Sequence, residues 1–271
     1  MQSTINLLTA VQQGDTDAIH VLLSADVLQS DLNSALCWSA RLGSCDITEM
    51  LLSAGADPNC RLWGGFSPLL WATIFSENAE IMHLLLRSGS SVNCASYRRR
   101  QTVLHAAVIR GSAEFTSILL GHGANPDKQD YLSRTPLHYA IQRSNLQAIK
   151  MLLTHNCNVN ICGVHNGEYI SPLYWALLQD NLEAAKMLLL AGAKFNQPTI
   201  YCTVTVNQFY RTIEETLKMQ VRPVYLQQQC RVCIRHQFSY DILKKLEQLV
   251  FPKRLKDFIR LEELDHCCCG H

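Results

Sequence analysis

An excess of charge of one sign is missing from this chain: 24 Lys and Arg stand against 23 Asp and Glu in 271 residues, a formal net charge of +1. Bulk electrostatics therefore draws it to neither nucleic acid nor a membrane surface. A long apolar run is missing too. No stretch approaches the roughly 20 residues a membrane-crossing helix needs, and Met1-Gln2-Ser3-Thr4 lacks the basic start of a secretory signal. No phosphate-binding Gly-rich loop occurs, and no nucleophile stands with a base, so no catalytic residue is expected. Cysteine, in contrast, is plentiful at 12. The expected location is intracellular, cytoplasmic or nuclear, where thiols stay reduced, and most of these cysteines are expected as small buried or turn residues. Cys230, Cys233 and His236 are spaced like metal ligands, with Cys267, Cys268, Cys269 and His271 nearby. No second paired motif has the usual spacing, so no metal or other cofactor is expected. A chain that is 48% hydrophobic and 17% charged has enough apolar material for a substantial continuous core.

What is present is periodicity. A leucine pair recurs six times: Leu22-Leu23, Leu51-Leu52, Leu84-Leu85, Leu119-Leu120, Leu152-Leu153 and Leu188-Leu189. Ahead of every pair but the first, at a constant offset, stands a hydroxyl residue: Ser34, Ser67, Thr102, Thr135 and Ser171. A Ser or Thr hydroxyl caps free N–H groups at a helix start, and Pro fits the first helical position. The motifs Thr135-Pro136-Leu137-His138-Tyr139-Ala140 and Ser171-Pro172-Leu173-Tyr174-Trp175-Ala176 have both features. Each motif therefore predicts a first helix, in which Ala72, Ala107, Ala140 and Ala176 allow close packing. His105 and His138, three positions after their capping Thr, are expected to hydrogen-bond within the repeat framework.

After each later pair comes Gly55, Gly89, Gly123, Asn156 or Gly192, residues that accept the left-handed conformation ending a helix. Asp57, Asn59, Asn93, Asn125, Asp127, Asn158, Asn160 and Asn196 then mark turn-rich fingers. The finger from Ile161 to Ile170 is longer and reads as a tolerated insertion. Six helix pairs result, over about 1–30, 31–63, 64–98, 99–131, 132–167 and 168–196. The first is degenerate, with Ile5 at the capping position, as expected of a terminal repeat whose outer face meets water.

These motifs and their period resemble the ankyrin repeat. The resemblance implies an all-α solenoid whose first helices and finger tips line a concave target-binding surface. Four positions after the capping residue stand Trp38, Trp71, Ala106, Tyr139 and Trp175, an aromatic row broken once. Rigid rings are favoured interface anchors, but they also fill grooves between stacked helices, and both readings stand. The fingers add Arg61, Leu62, Trp63 and Phe66, then Tyr97, Arg98, Arg99 and Arg100. Successive arginines suit an acidic target, or simply a solvated turn.

The repeat pattern stops near Asn196. Residues 197–222 read as a capping and connecting segment, with a helix predicted over Gln208–Gln220. Residues 223–263 form a compact three-helix pattern, and 264–271 a Cys-rich tail. In the first of these helices, Leu226, Cys230 and Ile234 fall on one stripe. The segment resembles the Elongin-binding box of the SOCS-box family, which implies that these three residues insert into Elongin C. Further on, Leu249-Val250-Phe251-Pro252 precedes a basic helix carrying Leu255 and Phe258. It is similar to a SOCS cullin-binding box, with Val250 where the pattern has its first proline.

Together these segments resemble the ankyrin-repeat and SOCS-box proteins. The resemblance implies a non-catalytic substrate receptor: the box recruits Elongin B and Elongin C, then the fifth cullin with its RING protein, while the repeats hold a target for ubiquitination and proteasomal degradation. The alternative is an ankyrin scaffold or inhibitor that holds its partner without degrading it.

Overall fold

A computed structural model describes residues 6–194. The expectations for 197–222, the three-helix segment 223–263 and the Cys-rich tail all lie outside the described residues, as do Ile5 and Asn196. Within them, the leucine periodicity becomes six helix pairs. The first helices are α1 (Leu7–Gln13), α3 (Gln29–Leu42), α5 (Pro68–Phe75), α7 (Val103–Arg110), α9 (Pro136–Gln142) and α11 (Pro172–Leu178). The second helices are α2 (Thr16–Leu23), α4 (Cys45–Ser53), α6 (Ala79–Arg87), α8 (Ala113–Gly121), α10 (Leu146–Thr154) and α12 (Leu182–Leu190). First helices stack on first helices, and from α4 onward second helices stack on second. A continuous core runs between the two rows. It is built from leucines such as Leu51, Leu85, Leu119, Leu152 and Leu188, with Ala72, Ala107, Ala140 and Ala176 fully buried at the close approaches.

The helix starts at Ser67, Thr102, Thr135 and Ser171 follow the expected chemistry. The Ser67 and Ser171 hydroxyls accept from the N–H groups of Leu70 and Tyr174, each at 3.2 Å. In the Thr102 and Thr135 copies the histidine reciprocates: the backbone N–H of the Thr donates to Nδ1 of His105 at 3.2 Å and of His138 at 3.1 Å. With Nδ1 accepting, His105 carries its proton on Nε2, which donates to the Arg134 carbonyl of the next finger at 3.0 Å. The five second helices from α4 onward end as expected, with Gly55, Gly89, Gly123, Asn156 and Gly192 at positive φ.

Two starts differ from the expectation. Ser34 does not cap. It lies inside α3, donating to the Ser30 carbonyl at 2.8 Å; Ala35, unlike a proline at that place, lets the helix run back to Gln29. The first repeat starts at Asn6, whose side chain accepts from the Thr9 N–H at 2.8 Å.

The finger residues do more than turn the chain. Asp57, Asn125 and Asn158 close local turns by accepting from the N–H two residues on. The side chains of Asn59, Asn93, Asp127 and Asn160 reach the next repeat and accept from the N–H groups of Ser91, Asn125, Asn158 and Lys194 at 2.7, 2.8, 2.7 and 2.6 Å. Asn93 also donates to the Gly123 carbonyl at 3.4 Å. Replacing Asn93 with Ala removes both bonds, and a fall of about 1 kcal/mol in unfolding free energy is expected by chemical denaturation.

The long finger, expected as a tolerated insertion, folds as a β-hairpin. β1 (Gly163–His165) pairs antiparallel with β2 (Glu168–Ile170), with Val164 opposite Tyr169. Asn166 and Gly167, both at positive φ, make the turn, the dipeptide whose twist matches a two-residue hairpin.

Candidate protein-binding surface

Backbone hydrogen bonds join neighbouring fingers into a row. Tyr97 N–H donates to the Gly64 carbonyl at 2.9 Å, Tyr131 to Arg99 at 3.0 Å and Val164 to Leu132 at 2.8 Å. The Leu62–Phe66 bridge folds the first of these fingers so tightly that Trp63 has φ 33°. Gly65 must be glycine: it combines a φ of 84° with the Tyr97 ring lying where any Cβ would stand. The finger tip thus holds Trp63 in place and 55% exposed.

Trp63 stands at the edge of an aromatic cluster. Its ring meets Trp38 edge-on at 6.4 Å and Trp71 at 5.9 Å; Trp71 also meets Phe66 at 5.6 Å and stacks on Phe75 at 5.0 Å. The guanidinium of Arg41 lies among the rings, 4.6 Å from the Trp38 centroid, 4.8 Å from Phe75 and 5.7 Å from Trp71. Contacts of this kind contribute about 0.5–2 kcal/mol. Arg41 and Phe75 were not among the sequence candidates. The signal was there: they follow Trp38 and Trp71 by one helical turn, the spacing at which side chains share a face. With Leu42 and Phe75 also exposed, α3, α5 and the intervening finger present apolar surface with a fixed cation in it.

The other candidates divide. Tyr97 is exposed and lies under Arg61, whose guanidinium is 5.4 Å from the ring centroid. Arg98, Arg99 and Arg100 are all exposed at the next finger tip. Tyr139 is half-buried; its hydroxyl donates to Asp130 Oδ2 at 2.6 Å and accepts from Gln101 at 3.0 Å. Burial, and then this bond to Asp130, push the phenol up to about 12. Trp175 corrects the sequence expectation. It is 1% exposed, covered by His165 of the hairpin at 4.6 Å, met edge-on by His138 at 5.4 Å and overlaid by Arg134 at 4.9 Å. It packs the stack and offers no surface.

Cys37, Cys60, Cys94 and Cys157 are buried free thiols; burial pushes Cys157 up to about 12, and the contact with Cys60 followed by burial raises Cys37. Such thiols behave as apolar filling. Burial lowers both His105 and His138, the latter to about 3, so both are neutral framework residues. Among the described residues no group of three or more His, Cys, Asp or Glu is placed to hold a metal ion, and no helix is long and apolar enough to cross a membrane.

Residues 69–163 and 132–199 match the family of ankyrin repeats in three copies, residues 31–62 match a single ankyrin repeat, and residues 222–260 match the SOCS box. No curated protein matches the chain. Ankyrin repeats and SOCS boxes are non-catalytic interaction modules. Their combination supports a substrate adaptor of Elongin B/C–cullin ligases in general. With the stacked helix pairs, the fingers and the C-terminal box in this order, the chain belongs to the ankyrin-repeat and SOCS-box protein family.

Proposed function

We infer that the chain is the target-binding subunit of a ubiquitin ligase assembled on Elongin B, Elongin C and the fifth cullin with its RING protein. The observation that carries this reading is the pairing of ankyrin repeats with a SOCS box at 222–260 on one chain. One module holds a protein and the other connects it to the ligase, so ubiquitin transfer depends on proximity and needs no reactive group here. In this reading Leu226, Cys230 and Ile234 enter Elongin C, and Leu249, Val250, Phe251, Pro252, Leu255 and Phe258 meet the cullin. All nine lie outside the described residues.

The target sits on the exposed finger row, with Trp63 as its anchor and Trp38, Phe66 and Trp71 supporting it. An exposed indole held by neighbours loses little entropy on binding and buries a large apolar area. Trp63→Ala is expected to weaken target capture by about tenfold or more, while the melting temperature stays close to wild type because the ring is exposed. An equal fall in capture and melting temperature would assign Trp63 to packing instead.

The test of the whole reading is reconstitution of the full chain with Elongin B, Elongin C, the fifth cullin and its RING partner, followed by assay of ubiquitin on a captured protein. Cullin-dependent ubiquitination supports the receptor. Capture of Elongin with no ubiquitination of any bound partner would favour a scaffold.

A further inference from the structure

We propose that a basic cleft between the next two fingers beyond Trp63 binds an acidic segment of the target polypeptide, one with clustered carboxylates. This rests on the reading that the repeats hold the target. The cleft has a volume of about 530 Å³ and is lined by Arg99 and Gln101 of one finger, Tyr131 and Arg134 of the next, and Tyr139 and Arg143 at α9. None of its lining residues is acidic. Arg98 and Arg100 flank it in sequence.

These arginines are uncompensated. The ion pairs among the described residues are Arg110 with Glu77 and Lys186 with Glu183, and neither involves the cleft. Arg134 is already oriented: its Nε donates to the Val164 carbonyl at 2.7 Å, and its guanidinium lies 5.9 Å from the Tyr139 centroid. Asp130, the carboxylate beneath the cleft, is 3% exposed and fully engaged. Its Oδ1 accepts from the N–H groups of Leu132 at 2.8 Å and Arg134 at 2.9 Å, and its Oδ2 accepts from the Tyr139 hydroxyl. It builds the floor and makes no ion pair with the arginines. The bond from Tyr131 N–H to the Arg99 carbonyl holds the two walls together.

Guanidinium groups fork onto carboxylates in a planar, bidentate manner and shed their hydration readily. A polypeptide suits this site better than nucleic acid: the chain has a net charge of only +1, and a phosphate backbone favours an extended basic track. The half-exposed tyrosines supply apolar contact beside the charges.

The test is fluorescence anisotropy with the full chain purified with Elongin B and Elongin C, using a labelled peptide that carries a run of glutamates. A peptide with glutamine in place of every glutamate serves as control. The glutamate peptide is expected to bind, with affinity falling as salt rises, and the glutamine peptide to bind at least about tenfold more weakly. Arg99→Ala with Arg143→Ala is expected to raise Kd by about tenfold, whereas Arg87→Ala, also an exposed arginine, leaves it unchanged. Arg99→Glu with Arg143→Glu is expected to shift preference to a lysine peptide; all these side chains are exposed, and an unchanged melting curve confirms folding. Equal binding of the two peptides, indifference to the Arg99 and Arg143 variants, or tighter binding of a phosphopeptide or single-stranded oligonucleotide would overturn the assignment. Elongin capture without glutamate-peptide binding would remove the cleft and keep the receptor; peptide binding without Elongin capture would do the reverse.

Discussion

Leu226→Ser with Cys230→Ser is expected to abolish stoichiometric co-purification of the full chain with Elongin B and Elongin C. Burying a leucine in a partner's pocket contributes about 1.5–3 kcal/mol. A serine at 230 replaces a small apolar thiol with a hydroxyl that loses water and gains no partner, which costs about 1–3 kcal/mol more. Together these losses correspond to about a hundredfold in affinity or more. The double variant is expected to retain its melting transition and its target binding. A variant that still captures Elongin would move the contact elsewhere in residues 222–260. A wild-type chain that captures none would favour the ankyrin scaffold over the receptor.

Acid is expected to destabilise the repeats before it protonates most carboxylates, with His138 a principal cause. Burial holds His138 at about 3 in the fold, against about 6.5 in an unfolded chain. Between these values the unfolded state binds a proton that the folded state refuses, so stability is complete above about 6.5 and falls as the pH drops toward the folded value. The slope is about 1.4 kcal/mol per pH unit for this one group, and the lowered His105 adds to it in the same direction. His138→Gln isolates the effect. A glutamine at the third helical position can still accept from the Thr135 N–H as a capping box, but it does not titrate. The variant is expected to differ little from wild type at pH 7 and to be relatively more stable by about 2–3 kcal/mol near pH 4.5, measured by urea unfolding across the range. Parallel stability–pH curves would show that His138 is not responsible.

The parts of this fold that were legible in sequence are those whose chemistry is local. A hydroxyl followed by proline, and a glycine or asparagine after a leucine pair, fix helix ends within a few residues, so Ser67, Thr135, Ser171, Gly89 and Asn156 fall where expected. Ser34 misled because the same phase lacks proline and the helix runs past it. The hairpin turn is also written locally, as Asn166-Gly167, although the length of the finger alone reads only as an insertion. Trp175 failed for a different reason: its burial comes from His165 on that hairpin, and no pattern within its own helix reports that cover. For Arg41 and Phe75, helical spacing gave a usable signal, while the lack of an acidic residue lining the Arg99 cleft appears only once three separate segments are brought together.

The side chains that clasp one finger to the next also bear on how such a surface changes over generations. Asn59, Asn93, Asp127 and Asn160 make the same joint with the same acceptor atoms. A duplicated or deleted unit brings or removes its own half of each joint and leaves no polar group stranded. The aromatic cluster and the basic cleft are carried on different units, so the distance between them can be reset by a whole repeat, and target choice can shift without redesign of the core.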